Sequence, residues 1–320
     1  MSGAAPLVSV IVPAYGVAQY LGEALASLQA QTLEDWEAIV VDDGDTDPVE
    51  VAIGPFLADP RIRLLQTDNG GLSAARNAGM AVAKAPRIAL LDGDDLYDPH
   101  YLERMTAALD AEPGIGFATC DARLFGNPAF EGKLFSSLEP QTGEITLERV
   151  IRADFKVFGS CTIRAALIKA LGGFDESLRS AEDLDMWIRL LETGCKAVRV
   201  PEPLVHYRRR ADSLSADGAA LARWVLSVYH KAEHRLAGRP EAAAAHAMKA
   251  DAFNKLEIEE GIAAIADGRT REGISRLAAT DIAAHSPRWR LALTVFRLFP
   301  PLAGPVVRAY MQRQPFGPRG

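Results

Sequence analysis

The residues best suited to chemistry form an acidic turn, Asp92-Gly93-Asp94-Asp95, directly after the apolar run 88–91. The apolar run predicts a buried strand, so the carboxylates are expected at a fixed strand end. Hard oxygen ligands at this density suit Mg²⁺ or Mn²⁺, which keep open positions for phosphate oxygens. A calcium EF-hand loop is disfavoured, because Tyr97 stands where glycine is required. A plain turn in which Asp95 is structural remains the alternative.

A second acidic cluster, Asp42 and Asp43, follows the Val/Ile-rich run 38–41. A carboxylate at such a strand end can accept the ring N–H of a nucleobase, and its neighbour can meet a ribose hydroxyl. A solvated turn is the alternative. Two acidic clusters that end neighbouring strands would repel each other, so a cation or a specific donor is expected between them.

A glycine pair, Gly70-Gly71, precedes a predicted helix whose first turns carry Arg76 and Asn77. Glycines let the backbone approach a ligand closely, and a guanidinium can bridge carboxylates or phosphate. The loop is not a phosphate-binding P-loop, since no Gly-Lys-Ser/Thr follows.

The third acidic group, Glu182 and Asp183, opens a predicted helix over 182–191. Acids are favoured in a first helical turn by the helix dipole, and Asp185 and Arg189 have the spacing of an ion pair. By itself this group indicates a structural role. Trp187 fits core packing or a platform for a sugar ring.

The elements that must hold these residues alternate along the first half of the chain. Apolar runs predict strands, helical patterns lie between them, and repeated βα units indicate a mainly parallel sheet flanked by helices. Ligands bind such sheets at the carboxyl ends of the strands, where the acidic clusters lie. The predicted strands cover 7–12, 38–41, 62–66, 88–91 and 115–119, and the helices cover 18–29, 48–58 and 72–83.

The chain beyond Asp217 has a helical pattern, over 219–236, 241–266 and 271–284, followed by an Arg-rich segment broken at Pro300-Pro301. We therefore predict an α/β domain over 1–215, with a nucleotide-binding half (1–121) and an acceptor half (122–215). A helical extension with a basic amphipathic tail follows over 216–320.

Composition narrows the class of protein. Across 320 residues, 48% are hydrophobic and 24% charged, which is typical of a soluble globular protein, and the net charge of -7 argues against general nucleic-acid binding. Three widely spaced cysteines suggest neither a disulfide framework nor a zinc site, which favours the cytoplasm. No apolar stretch reaches the roughly 18 residues of a membrane-spanning helix.

The tail differs in charge from the rest of the chain, since six arginines and no acidic residue follow Asp281. Arginines mixed with Leu, Phe and Trp over 287–314 predict a helix that lies on anionic lipid, at the inner face of a membrane. Packing against the acidic main domain is an equal alternative.

Six motifs in order resemble the family 2 glycosyltransferases over residues 7–208. They are 8–15 (VSVIVPAY), 42–44 (DDG), 70–77 (GGLSAARN), 92–95 (DGDD), 172–175 (GGFD) and 182–187 (EDLDMW). The resemblance implies a GT-A fold, a nucleotide-sugar donor, a Mn²⁺ or Mg²⁺ ion and inversion at the anomeric carbon.

Carried over residue by residue, the resemblance assigns the metal to Asp94 and Asp92, the latter also facing the ribose, and the general base to Asp183. Arg76 would brace the acidic floor. The donor site would comprise Pro13, Ala14, Tyr15, Asp42, Asp43, Gly71, Arg76, Asp92 and Gly93. Candidate contacts to the acceptor or the diphosphate are Glu182, Trp187 and Arg210.

Some positions depart from the family pattern. Gly16 replaces the usual Asn, Asp45 replaces Ser, and Arg210 stands where a His two residues beyond Arg208 is frequent. An arginine there could contact the diphosphate instead of a metal. The Gln-x-x-Arg-Trp signature of processive synthases is absent, which favours transfer of a single sugar. UDP is the expected carrier, and dTDP or GDP would use the same acidic floor.

We therefore predict transfer of one sugar to a hydroxyl of a glycan, lipid-linked or other acceptor. Two alternatives remain. A sugar nucleotidyltransferase should carry a basic Gly-rich loop after the first strand, which 12–20 lacks. A non-catalytic sugar-nucleotide-binding protein would bind donor and metal without transfer.

Overall fold

The computed structural model describes residues 5–210, 218–281 and 286–313, with side chains as far as Met311. It divides into two compact units, Met1–Ala211 and Asp212–Gly320. The predicted domain boundary between residues 215 and 216 falls within 211–217, outside the described residues.

An eight-stranded sheet with strand order β3-β2-β1-β4-β7-β6-β8-β5 forms the centre of the first unit. The strands β3, β2, β1 and β4 are parallel, β7 is antiparallel to both its neighbours, and β5 is antiparallel to β8. The predicted α/β class with a flanked, mainly parallel sheet is confirmed. The strands are β1 Val8–Ala14, β2 Trp36–Asp43, β3 Ile62–Thr67, β4 Arg87–Leu90, β5 Leu96–Tyr97, β6 Ile115–Phe125, β7 Thr162–Arg164 and β8 Lys196–Arg208.

Seven helices accompany the sheet in the described part of this unit. Every residue of β1 is buried, as expected for a parallel strand covered on both faces. The helix predicted over 48–58 is shorter than expected, because Gly54-Pro55 turns it into a 3₁₀ turn at Gly54–Phe56. The helices are α1 Ala18–Gln29, α2 Val49–Ile53, α3 Leu72–Val82, α4 Tyr101–Asp110, α5 Leu147–Ile151, α6 Ala165–Ala170 and α7 Glu182–Glu192.

Strand register aligns the polar ends of β1, β2 and β4. Ala14 at the end of β1 lies opposite Asp42 on β2, and Ile11 lies opposite Leu90 on β4. The chain leaves β4 with Leu91, whose N–H donates to the Ile11 carbonyl at 3.1 Å. The two acidic clusters therefore lie at the carboxyl ends of β2 and β4, at one edge of the sheet. The sequence analysis expected neighbouring strands, but β1 lies between β2 and β4.

The second unit is helical in its described residues. Its last two helices pack on α9 and α10 through a cluster that includes Ile265, Leu277, Leu293 and Phe296. None of the helices among the described residues combines the length and the apolarity that crossing a membrane requires. The helices are α8 Gly218–Arg235, α9 Ala242–Ala266, α10 Thr270–Ala278, α11 Pro287–Leu298 and α12 Ala303–Arg313.

Candidate active site

The acidic turn (residues 92–95) folds tightly onto the end of β1. A Cβ atom added at Gly93 would lie 2.9 Å from the Pro13 carbonyl oxygen and equally close to the side chains of Val17 and Leu21. No larger residue fits there without displacing the turn. This packing explains why position 93 requires glycine. The predicted contact of Gly93 with the donor stays a prediction.

Arg76 connects the acidic turn to the start of α7. Its Nη2 donates to Asp92 Oδ1 at 2.7 Å, and its Nη1 donates to Glu182 Oε1 at 2.7 Å. The side chain lies in α3 and is only 3% exposed. Burial alone would lower the pKa of the guanidinium, but the charges of Asp92 and Glu182 outweigh burial and raise the pKa. Arg76 therefore carries a fixed positive charge between two acidic groups.

Asp183 lies beside this charge, half-buried in the first turn of α7. Its Oδ1 accepts the Leu184 N–H at 2.7 Å, and its Oδ2 would lie 3.7 Å from a Cβ at Gly159, a position that glycine leaves open. Burial raises the pKa of the Asp183 carboxyl, Arg76 opposes this, and the charge of Asp92 adds to it. A carboxylate whose pKa is raised in this way is a better proton acceptor than one in water.

Helix α7 starts from an unusual backbone conformation. Ala181, which precedes Glu182 and Asp183, has a φ of 57°, in the left-handed region that non-glycine residues rarely adopt. Such a conformation costs on the order of 1–3 kcal/mol and persists only where surrounding contacts impose it. The Arg76–Glu182 bond is one such contact.

Two arginines near the end of β8 hold the other half of the acidic turn. The Arg208 backbone N–H donates to Asp95 Oδ1 at 2.8 Å, and Arg208 Nε donates to the Asp94 carbonyl at 2.8 Å. Arg210 Nη1 donates to Asp94 Oδ2 at 3.1 Å. Burial raises the pKa of Asp95 well above its usual range, with Asp94 and Asp92 adding to the effect. Asp95 therefore has a structural role.

The chemistry of Asp92 and Asp94 fits a divalent cation. Burial raises the pKa of Asp94, the charge of Asp92 raises it further, and Arg210 opposes both. A cation between the two carboxylates would relieve this repulsion. Within the described residues, no group of three or more His, Cys, Asp or Glu side chains is placed to hold a metal ion. Two carboxylates leave the other positions of Mg²⁺ or Mn²⁺ to water and phosphate oxygens.

The predicted donor residues on β2 have different positions. Asp43 is buried, and its two carboxylate oxygens accept the N–H groups of Gly70 and Gly71, each at 2.8 Å. Asp42 is half-buried and accepts the Asp45 N–H at 3.1 Å. Asp43 therefore shapes the loop at Gly70-Gly71, whereas Asp42 stays accessible. The donor contacts of both residues stay predictions.

The residues at the end of β1 that were predicted to contact the donor differ in exposure, and their donor contacts stay predictions. Pro13 and Ala14 are buried, because they are the last residues of a strand covered on both faces. Tyr15 is 58% exposed and presents the accessible side chain of the three. Gly16 follows, and its N–H donates to Asp45 Oδ2 at 2.6 Å, joining this turn to the end of β2.

The loop at Gly70-Gly71 is held by Arg179, a residue that no sequence motif indicated. Arg179 Nη1 donates to the Gly70 carbonyl at 2.9 Å and would lie 2.7 Å from a Cβ at Gly71. Gly71 also has a φ of 88°, so both backbone conformation and space require glycine. Arg179 lies 109 residues from Gly70, and nothing in the local sequence signals this contact.

Two of the candidate acceptor contacts lie inside the protein. Trp187 is 1% exposed and stacks on Phe117, with ring centroids 5.3 Å apart, so it offers no face to an acceptor. Glu182 is buried against Arg76. Both residues make structural contacts here, and their contact with the acceptor or the diphosphate stays a prediction. The predicted Asp185–Arg189 ion pair is present at 2.7 Å. Arg210, the third candidate, borders the acidic turn.

Comparison with known proteins identifies the family of this chain. The family description "Glycosyl transferase family 2" matches residues 9–170. The uncharacterized glycosyltransferase EpsJ of Bacillus subtilis is 32% identical over 66% of this chain, which spans 63% of that protein. Chondroitin synthase of Pasteurella multocida is 32% identical over 59% of this chain and 19% of its own length.

Solved structures share the fold. S. aureus TarS 1–349 in complex with UDP-GlcNAc superposes with a TM-score of 0.64 at 20% identity, covering 98% of this chain and 93% of that chain. The mannosyltransferase PcManGT from Pyrobaculum calidifontis, in complex with GDP-Man and Mn²⁺, gives 0.63 at 22% identity, covering 98% and 85%. The predicted GT-A fold and the resemblance read from six motifs are confirmed, and the chain belongs to glycosyl transferase family 2.

Proposed function

We propose that this protein transfers a single sugar, with inversion, from a nucleotide-sugar to an acceptor hydroxyl. The observation that carries the proposal is the Arg76 bridge, which joins Asp92 of the acidic turn to Glu182 at 2.7 Å on each side. This bridge brings Asp183, the residue after Glu182, next to the turn that faces the diphosphate. The bridge would thereby fix the position of the base, Asp183, relative to the acidic turn that would hold the leaving diphosphate.

The reaction needs one proton acceptor. The acceptor oxygen forms a bond to the anomeric carbon while the bond from that carbon to the diphosphate oxygen breaks, and the hydroxyl proton passes to Asp183. The raised pKa of Asp183 favours this transfer. The diphosphate leaves as an anion, so no second acid is required.

Asp92 and Asp94 would hold a Mn²⁺ or Mg²⁺ ion, which supplies positive charge to the departing diphosphate. The Mn²⁺ named with GDP-Man in the PcManGT complex supports this assignment. The UDP-GlcNAc of the TarS complex supports UDP as the carrier, with Asp42 and the exposed Tyr15 at the base. The donor sugar follows from neither.

The acceptor is proposed to be a glycan or a lipid-linked glycan, as the names chondroitin synthase and hyaluronan synthase among the relatives suggest. We further propose that the protein works at the inner face of a membrane. Leu291 and Leu298 are 67% and 69% exposed on one face of α11, seven residues apart, opposite the buried Leu293 and Phe296.

Arginines flank this lipid-facing surface, which consists of Leu291, Leu298 and the exposed Phe299 and Leu302. On a helical projection Arg288 falls on one side of the two leucines, and Arg290 and Arg297 fall on the other. All three arginines are exposed. Apolar side chains between cations match the interface of an anionic bilayer.

Substitution of Asp183 by Asn tests the proposed reaction. The Asn side chain keeps the shape and the bond to the Leu184 N–H but accepts no proton, so transfer should fall about 10²- to 10⁴-fold. UDP binding with Mn²⁺, measured by thermal shift, should stay unchanged. Asp47→Asn, in an exposed turn, is the matched control and should transfer at the wild-type rate.

Three outcomes would contradict the proposal. Unchanged transfer by Asp183→Asn would remove Asp183 from the role of base. A wild-type protein that binds UDP-sugar but transfers to no acceptor would be a binding protein. Release of pyrophosphate from a nucleoside triphosphate and a sugar phosphate would identify a nucleotidyltransferase.

A further inference from the structure

We infer that Arg210 is the resident counter-ion of Asp94, which the metal and the donor diphosphate displace together. The inference rests on the proposed function. Arg210 Nη1 donates to Asp94 Oδ2 at 3.1 Å, and Nη2 donates to the Gly16 carbonyl at 3.3 Å. Both partners are largely enclosed, with 13% of the Arg210 side chain and 19% of the Asp94 side chain exposed.

The position of the guanidinium has a direct consequence for metal binding. An arginine has five N–H donors and no lone pair to offer, so Arg210 cannot ligate a cation. While it lies 3.1 Å from Asp94 Oδ2, it occupies that oxygen and repels an approaching Mn²⁺ ion. Arg210 therefore competes with a metal for this oxygen of Asp94.

Binding of the donor diphosphate would draw Arg210 away from Asp94. Arginine binds phosphate groups through paired N–H donors, and a diphosphate beside Asp94 would offer it a new anion. Arg210 then releases Asp94 to the metal. Nucleotide and metal should therefore bind with positive coupling, each raising the affinity for the other.

Two other arginines hold fixed positions around the acidic turn. Arg208 lies between the rings of Tyr20 and Phe125, at 4.5 and 4.4 Å from their centroids, and donates to the Asp94 carbonyl. Arg76 is buried between two carboxylates at 2.7 Å. Arg210 differs from both in that its guanidinium donates to a side-chain oxygen of Asp94, the proposed metal ligand.

Titration of Mn²⁺ into donor-free protein, followed by the EPR signal of the free ion, tests the inference. Arg210→Ala should bind Mn²⁺ about tenfold or more tightly than the wild type, because Asp94 loses its competing cation. Arg210→His should bind at least as tightly, since imidazole is itself a ligand, and Arg210→Lys should remain close to the wild type.

A second arm measures coupling by repeating the titration with UDP bound. UDP should raise the Mn²⁺ affinity of the wild type by a larger factor than that of Arg210→Ala. Arg209→Ala is the matched control, because its guanidinium contacts the Tyr207 hydroxyl at 3.1 Å and the Phe130 ring. It should behave as the wild type in both arms.

Equal or weaker Mn²⁺ binding by a folded Arg210→Ala variant would overturn the inference. Circular dichroism checks folding, and Arg210→Met, which keeps an apolar stem over the Tyr20 ring, replaces a variant that fails to fold. Failure of the proposed function gives a different result, namely no transfer of sugar to any acceptor by the wild-type protein. The donor-free Mn²⁺ arm decides the inference in either case.

Discussion

Arginine has opposite roles in two regions of this molecule, the strand-end site of the first unit and the last two helices of the second. In the site, Arg76 is 3% exposed and held between two carboxylates. On α11, the arginines at 288, 290 and 297 are exposed beside exposed leucines. The first arrangement fixes charge inside the protein, whereas the second presents charge to the outside.

The difference shows how burial decides what a charged residue can do. A buried charge must be matched by its own protein, so the geometry around it is rigid and its removal is costly. An exposed charge contributes little to stability and remains available to a partner. The same substitution of arginine should therefore lower the free energy of unfolding strongly in the site and hardly at all on α11. This difference makes the comparison testable.

The largest expected effect is that of Arg76→Ala on the free energy of unfolding. The substitution leaves Glu182 buried without its cation and Asp92 without its partner, which should cost about 3–5 kcal/mol. Arg290→Ala, on the exposed surface of α11, should change the same quantity by less than about 0.5 kcal/mol. Urea unfolding followed by circular dichroism measures both.

Arg76→Lys sharpens this test, because a single ammonium group cannot reproduce the forked contact to two carboxylates. We expect a loss between those of the other two variants. Equal stability of Arg76→Ala and Arg290→Ala would show that the strand-end site does not depend on its buried charge.

The second prediction concerns the exposed leucines of α11, which are proposed to face lipid. Leu291→Glu combined with Leu298→Glu removes two side chains whose burial contributes about 1.5 kcal/mol or more each, so binding to phosphatidylserine vesicles should fall about 100-fold. Thermal stability should change little, since both side chains are exposed. Vesicle co-sedimentation measures the binding.

The matched control places the same two charges elsewhere, as Val51→Glu with Leu138→Glu, two exposed apolar positions of the first unit. It should bind vesicles as the wild type does. If both double variants bind equally well, the surface on α11 does not meet lipid, and packing within the protein becomes the better account of its apolar residues.

The strands of the first half were predictable because their signals are local. Val- and Ile-rich runs mark β1 to β4, and parallel pairing brings their acidic ends to one edge of the sheet. Strand β8 was not predicted, since Pro201 and Pro203 argue against a strand. It forms through pairing with β6, across register shifts near Asp121, which the local sequence does not reveal.

The site was predicted only in part for a similar reason. The bond between Arg76 and Glu182 joins residues 106 positions apart, and the sequence analysis did not predict it. The family resemblance implied only that Arg76 braces the acidic floor. The separate positions of Asp42 and Asp43 follow instead from a local rule. Successive strand residues point to opposite faces, so one of the pair should have been expected to face away from a ligand.

The third prediction tests that division of roles. Asp43→Ala leaves the N–H groups of Gly70 and Gly71 without their acceptor, which should lower the free energy of unfolding by about 1–3 kcal/mol. Asp47→Ala, in the exposed turn after β2, should leave stability within about 0.5 kcal/mol of the wild type. Equal losses would contradict a structural role for Asp43.

The smallest effect is expected in the pH dependence of stability. Burial raises the pKa of both Asp183 and Glu182 in the folded protein, while their unfolded values stay near about 4. Between the unfolded and folded pKa values the folded state binds more protons, so stability falls as the pH rises through this window. Ionisation of Asp183 therefore destabilises the protein while it creates the proposed base.

Asp183→Asn should remove its share of this loss. The variant and the wild type should unfold alike below about pH 4, and the variant should become relatively more stable as the pH rises. Urea unfolding across the pH range measures this, and Asp47→Asn should follow the wild-type curve. Parallel curves for Asp183→Asn and the wild type would mean that Asp183 ionises as freely as an exposed carboxyl. The contrast between buried charges that affect stability and exposed charges that do not would then not extend to Asp183.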